Sequence, residues 1–242
     1  MINILNKIYK EDRQAFYAMI KRCIEQEEKA FIVTANPETI MLTYENSELE
    51  KILLNDEVTI IPDGIGVVKG AKKLGIHIQE RIPGIELVET LLDFLNETKK
   101  TIYFYGSKQE VLDKLANKLE SEYPGISVLG LKNGYDNEDA EVFKDIQEKK
   151  PDVILVAHGI PKQELIIDRY YNKLQKGICI GVGGSLDVLS GAKKRAPMIF
   201  RKLNIEWLYR IIKEPSRIKR FCKYNLKLIL VLKKIKNINK NT

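Results

Sequence analysis

The chain has 242 residues, of which 44% are hydrophobic and 30% charged, with 40 Lys and Arg against 33 Asp and Glu for a formal net charge of +7. That length allows one large domain or a domain with a small appendage, and the apolar content excludes a disordered or low-complexity chain. Cys23, Cys179 and Cys222 stand far apart without a CxxC pair and there are only two histidines, His77 and His158, so a disulfide framework and a zinc module are both excluded.

The first thirteen residues hold no continuous apolar run of the secretory kind, so a cytoplasmic, reducing location is expected. A helical pattern over 12–27 leads to a strand at Ala30–Thr34, a helical stretch over 37–54 and a strand at Val58–Ile61. Helical patterns at 64–74 and 84–98 precede a strand at Thr101–Tyr105. A helix at 108–122, a strand at Ile126–Leu131 and a helix at 137–149 follow. The body closes with a strand at Val153–Ala157, a helix at 161–174 and a strand at Ile178–Val182 whose glycine turn opens a further helix. Strands alternating with helices of this length predict an α/β fold, a Rossmann-like open and mainly parallel sheet with helices on both faces.

Charge divides the chain. From Ala192 onward there are 16 Lys and Arg against Glu206 and Glu214 alone, which leaves 24 basic and 31 acidic residues in 1–191. The domain boundary is therefore expected near Gly191, with 1–191 a Rossmann-like catalytic domain and 192–242 a basic helical appendage. On a helical wheel, Phe221, Tyr224, Leu228, Val231, Leu232 and Ile235 form one apolar stripe beside Arg220, Lys223, Lys227 and Lys234. Such a stripe suits a helix lying on an anionic membrane surface, and Leu228–Leu232 is too short an apolar run to cross one. The same stripe would also serve to pack on the body or on another subunit, so a homo-oligomer is a further expectation. Nucleic acid is the poorest partner, because phosphate contact has no use for the apolar face.

Five strand ends run into polar or glycine punctuation, and in an open parallel sheet these ends share one rim where ligands bind. Asp63, in Pro62-Asp63-Gly64, is a candidate general base, or else an N-cap of the next helix. Thr34 and Asn36 offer neutral hydrogen bonds to a sugar or pyrophosphate, or a turn before Pro37. Arg81 is placed to grip a diphosphate if it is not a solvated surface group. Gln163 and Glu164 either bond a ligand or begin a helix. In Gly181-Val-Gly183-Gly184-Ser185-Leu-Asp187 small residues let backbone N–H groups approach phosphate, although the spacing fails the dinucleotide fingerprint. No Asp-x-Asp pair is present to hold a divalent cation on a diphosphate, so arginines and backbone amides are the expected stabilisers of a leaving group.

Thr34-Ala-Asn-Pro-Glu38, Pro62-Asp-Gly-Ile-Gly66, Gly159-Ile-Pro-Lys-Gln-Glu164, Gly181–Asp187, Lys194-Arg-Ala-Pro197 and Glu206-Trp-Leu-Tyr-Arg210 together resemble the WecG/TagA/CpsF glycosyltransferase family over residues 30–220, most closely its TagA branch. The resemblance implies an inverting, metal-independent enzyme without cofactor. It would move N-acetylmannosamine from UDP-ManNAc to the 4-hydroxyl of GlcNAc on undecaprenyl diphosphate, in teichoic acid linkage-unit synthesis on the inner face of the cell membrane. Asp63 would be the catalytic base and Thr34, Asn36, Arg81 and Gln163 would line the substrate pocket. Gly183, Gly184, Ser185 and Asp187 would hold UDP, with Tyr135 a weaker candidate. Arg210, Arg217 and Arg220 would bring positive charge from the appendage to the diphosphates. Transfer of another UDP-sugar (N-acetylmannosaminuronate, glucose or galactose), or a non-catalytic nucleotide-binding module with a nucleic-acid-binding tail, is the alternative.

Overall fold

In the computed structural model, which describes residues 1–238 (the side chain of Ile238 excepted), six parallel strands form one sheet. They are β1 (Lys29–Ala35), β2 (Val58–Pro62), β3 (Thr101–Gly106), β4 (Ser127–Lys132), β5 (Val153–Ala157) and β6 (Gly177–Gly181), in the order β2-β1-β6-β5-β3-β4. The α/β class and all six expected strands are present, with ends within about two residues, the ordinary scatter of strand boundaries.

Alternation along the strands builds two cores. Phe31, Val33, Ile60, Tyr103, Tyr105, Ile154, Val156 and Cys179 point to one face, covered by α1 (Ile2–Lys7), α3 (Pro37–Leu42), α4 (Ser47–Leu54), α5 (Ile65–Lys73), α8 (Asp139–Lys149) and α9 (Lys162–Tyr171). Ile32, Ile61, Ile102, Phe104, Leu155, Ile178 and Ile180 point to the other, covered by α2 (Arg13–Glu25), α6 (Gly84–Thr98), α7 (Gln109–Glu122) and α10 (Ser185–Leu189). Because β3 and β5, β5 and β6, and β6 and β1 send their following helices to opposite faces, a crevice opens along the carboxyl rim between them.

Two departures from the expected elements have local causes. The stretch 37–54 is two helices: the Thr43 hydroxyl donates to the Ile40 carbonyl at 2.7 Å, and Asn46 accepts from the Leu49 N–H at 2.9 Å to start α4. Thr and Asn offer the backbone these alternatives to a continuous helix. At the start of the chain α1, absent from the sequence pattern, is short but buries Ile4 and Leu5, and Ile8 just after it bridges to Ile60 of β2.

Beyond the expected boundary at 191 the chain forms α11 (Met198–Lys202), α12 (Glu206–Lys213) and α13 (Arg217–Ile238); residues 239–242 of the expected appendage lie outside the described residues. α13 packs on α3 and α5 and sends Tyr224, Leu228 and Leu232 into the first core. Gly70 on α5 makes room, since a Cβ there would stand 2.9 Å from Leu232 Cδ1. The stripe expected to enter a membrane therefore faces the protein. The exposed apolar groups beyond residue 191 are others, among them Met198, Ile199, Leu203, Leu208, Ile212 and Leu230. Ion pairs from Lys223 and Lys227 to Glu45 flank the docked helix.

Candidate active site

The turn after β2 is stitched to the end of β1, the N–H groups of Asp63 and Gly64 both donating to the Ala35 carbonyl. The partly exposed Asp63 does not cap the helix that follows it, whose N-cap is Gly64 without side-chain help. Its Oδ1 instead accepts the Gly84 N–H at 2.8 Å, the first residue of α6 and 21 positions away. A side chain on Gly84 would meet Thr34 Cγ2 at 3.0 Å, so glycine is what lets this N–H come so near the β1 end. Burial pushes the Asp63 carboxyl above the usual carboxylate range, while the Gly84 N–H and the positive charges of Arg210 and Arg81 pull it back and Glu206 adds to the rise.

Arg81 reaches this place from the loop before α6, held where the Ile82 N–H donates to the Pro62 carbonyl. Its Nη2 pairs with Glu206 Oε1 at 3.1 Å, and both side chains are largely buried. Glu206 and Arg210 are four residues apart on α12 and face the same way. The other two appendage arginines expected at the diphosphates lie further along: Arg220 pairs with Glu38 in the first turn of α3, and Arg217 with Glu214.

At the end of β1, the Thr34 hydroxyl donates to the Gly181 carbonyl at 3.1 Å and so ties β1 to β6. Asn36 caps α3, its Oδ1 accepting the N–H groups of Glu38 and Thr39. Gln163 is buried, its Oε1 accepting the N–H groups of Gly159 and Gly183 while its Nε2 donates to Glu164. It thus joins the two glycine turns after β5 and β6. Gly184 and Ser185 open α10, and Asp187 accepts from the Ser107 hydroxyl and pairs with Lys193. Tyr135 is 73% exposed over a hollow of about 260 Å³ lined by Lys108, Gln109, Asn133 and Asp136 at the ends of β3 and β4. A larger hollow of about 450 Å³ between Met1 and the α3–α4 turn involves none of these groups.

The rim therefore carries a buried-edge carboxylate ringed by two guanidinium groups, a helix N-terminus and two glycine turns, which suits proton removal beside a diphosphate. The family profile described as "Glycosyl transferase WecG/TagA/CpsF family" matches residues 2–241. The chain belongs to this family. It is similar to curated members named N-acetylglucosaminyldiphosphoundecaprenol N-acetyl-beta-D-mannosaminyltransferase: 38% identical over 210 residues to that of Bacillus spizizenii, covering 87% of this chain and 81% of the relative. For Bacillus subtilis the figures are 39% over 217 residues, 90% and 84%, and for Staphylococcus aureus MW2 they are 44% over 191 residues, 78% and 74%.

Three residues of this glycosyltransferase-family chain hold candidate site residues in place, roles that the motifs did not assign. Gly84 anchors Asp63, Glu206 anchors Arg81, and Glu164 anchors Gln163. The spacing of Glu206 and Arg210 on one helical face was the available signal for the second. Among the described residues no group of three or more His, Cys, Asp or Glu side chains is arranged to hold a metal ion.

Glu164 is fully buried, and burial lifts its carboxyl to about 7 against an ordinary 4.5. Since the folded value is the higher, the stabilisation is complete below about pH 4.5 and is lost as pH rises through about 7. Glu164→Gln is expected to fold and to lose this contribution to the fall of stability with pH, leaving that of groups such as Asp63. Glu164→Ala strands the Gln163 Nε2 and costs about 1–3 kcal/mol. Urea melts from pH 4 to 8 check both; a Gln variant that keeps the wild-type slope would contradict the assignment.

Proposed function

We propose that this chain transfers N-acetylmannosamine from UDP-ManNAc to the terminal GlcNAc of undecaprenyl-diphosphate-GlcNAc, with inversion at the anomeric carbon. The observation that carries the reading is Asp63 at the carboxyl rim, its carboxyl raised by burial and flanked by Arg81 and Arg210. Asp63 takes the proton of the acceptor hydroxyl as that oxygen attacks from the face opposite UDP. Arg81 and Arg210 meet the negative charge gathering on the departing diphosphate. The glycine turns joined by Gln163, with Asp187 and Tyr135, form the nucleotide side of the crevice, and Thr34 and Asn36 shape the sugar side. The names of the curated relatives support transferred sugar and acceptor alike.

The acceptor's lipid holds it in a bilayer, so the rim has to meet a membrane. Residues 192–238 act as the docking appendage of the catalytic body. No helix among the described residues is long and apolar enough to cross a membrane. Met198, Ile199, Leu203, Leu208, Ile212 and Leu230 instead enter the acyl boundary while the neighbouring lysines and arginines meet anionic headgroups. Self-association away from lipid uses the same apolar surface.

A product assay with a panel of UDP-sugars, a short-chain prenyl-diphosphate-GlcNAc acceptor and EDTA tests the reaction. The expected result is UDP release with UDP-ManNAc and background release with UDP-glucose, UDP-galactose and the uronate donor. Turnover with one of those donors in its place, or loss of turnover in EDTA, refutes the reading.

A further inference from the structure

Residues 192–238 carry only two acidic side chains, and one of them, Glu206, is buried against the catalytic rim. Its pair with Arg81 spans 125 positions in sequence and leaves the two side chains only 11% and 13% exposed. One of two carboxylates in a segment of 15 cations has no shortage of nearer partners, so its choice of Arg81 is set by where α12 docks. Most other side chains of α12 have different surroundings. Trp207 stacks on Phe221 of α13 with ring centres 4.5 Å apart, Tyr209 lies against Phe200 of α11 at 5.5 Å, and Leu208 and Ile212 face outward. Glu206 is the one side chain of α12 that is buried, and Arg210, one turn on, stays exposed while its charge still acts on Asp63.

We propose that Glu206 is a positioning residue: by holding Arg81 it clasps the appendage to the catalytic rim and keeps that guanidinium from pairing with Asp63. The proposal rests on the transferase reading for its kinetic consequence, though not for its structural one. The groups facing Asp63 are the Gly84 N–H from α6, Arg81 from the preceding loop, and Arg210 and Glu206 from α12. Were Arg81 free, it would turn to the nearest carboxylate and make Asp63 a weaker base. Held by Glu206, Arg81 is half-neutralised and stays aimed at the place of a diphosphate. Removing one partner of a buried pair leaves the other charge uncompensated, so such a contact also fixes how α12 sits.

The test compares wild type with Glu206→Gln, which keeps size and hydrogen bonding and loses the charge. Amide exchange over 206–213, measured without substrate, is expected to speed up about 10-fold or more as the clasp weakens. With UDP-ManNAc and the short-chain acceptor, kcat/KM is expected to fall about 10- to 100-fold. The acid limb of its pH profile should move to lower pH by about one unit, because a negative neighbour of Asp63 is gone and Arg81 turns to it. A structural defect alone would not displace the limb in that direction. Unchanged exchange over 206–213, or an acid limb that stays put or moves up, overturns the proposal. A wild-type protein inactive with every donor would instead defeat the functional reading, and the exchange measurement would still decide the clasp. Glu206→Asp, one methylene short of Arg81, serves as the second variant: it keeps the negative charge but lets go of Arg81, so its acid limb is expected to move to lower pH by less than that of the Gln variant, and a limb that stays put overturns the clasp.

Discussion

Asp63→Asn is expected to lower kcat about 1,000-fold, the loss associated with removing a positioned general base. UDP binding should stay within about threefold, because an interaction used only in the transition state leaves the ground state alone. The fold should survive: an asparagine oxygen still accepts the Gly84 N–H, so the anchor between the β2 turn and α6 is kept. The pH dependence gives a sharper check. A base must be ionised to act, and burial raises the Asp63 carboxyl above the usual range, so wild-type kcat/KM falls as pH drops through that raised value. The Asn variant has no such limb. Measuring kcat and UDP affinity across pH 4–9 for both proteins decides it; an Asn variant with near-normal turnover would remove Asp63 from the chemistry.

The two sides of α13 should respond oppositely to substitution. Leu228 is 3% exposed and packs in the core between α3 and α5, so Leu228→Ala is expected to cost about 3 kcal/mol. In a protein of this size that appears as a fall in Tm of about 6–12 °C. Leu230, two residues on and 66% exposed, contributes little to the fold, and Leu230→Ser should change stability by no more than about 0.5 kcal/mol. Its effect should appear instead as weaker sedimentation with anionic phosphatidylglycerol vesicles. Equal losses of Tm in the two variants would mean that α13 is not seated as described, and undiminished vesicle binding by the Ser variant would remove Leu230 from the docking surface. Deleting residues after Gly191 is a poor substitute for either variant, because it would bare the faces of α3 and α5 on which α13 packs along with removing Arg210.

Much of the rim was legible because its parts are local. A strand is a period of two, a glycine turn is a composition, and both lie within a few residues of chain. Asp63 could be named from its turn, Arg81 from its loop and Arg210 from the family resemblance, and the charges of both arginines act on Asp63 in the fold. Motifs could not say what each side chain would be used for. Asn36 turned out to cap α3, Thr34 to bridge β1 and β6, and Gln163 to join two turns from a buried position. In each case a polar group at a strand end met a backbone partner in the folded protein, and that partner lies on a different element in two of the three.

The tail shows the limit of periodicity most clearly. The stripe through Tyr224, Leu228 and Leu232 was visible as a helical face, yet Leu226 and Leu230 form a second apolar edge on the same helix, and nothing in spacing says which one meets protein. What the residues alone determined is the α/β alternation, the set of rim segments and the contrast between an acidic body and a basic end, since propensity, turn chemistry and charge are properties of short windows. Only the tertiary structure decided that the α6 N-terminus anchors Asp63, that Glu206 reaches Arg81 and that α13 turns its expected lipid face inward. Those outcomes depend on surfaces brought together from 21 to more than 100 residues apart, and such meetings leave no mark in local sequence.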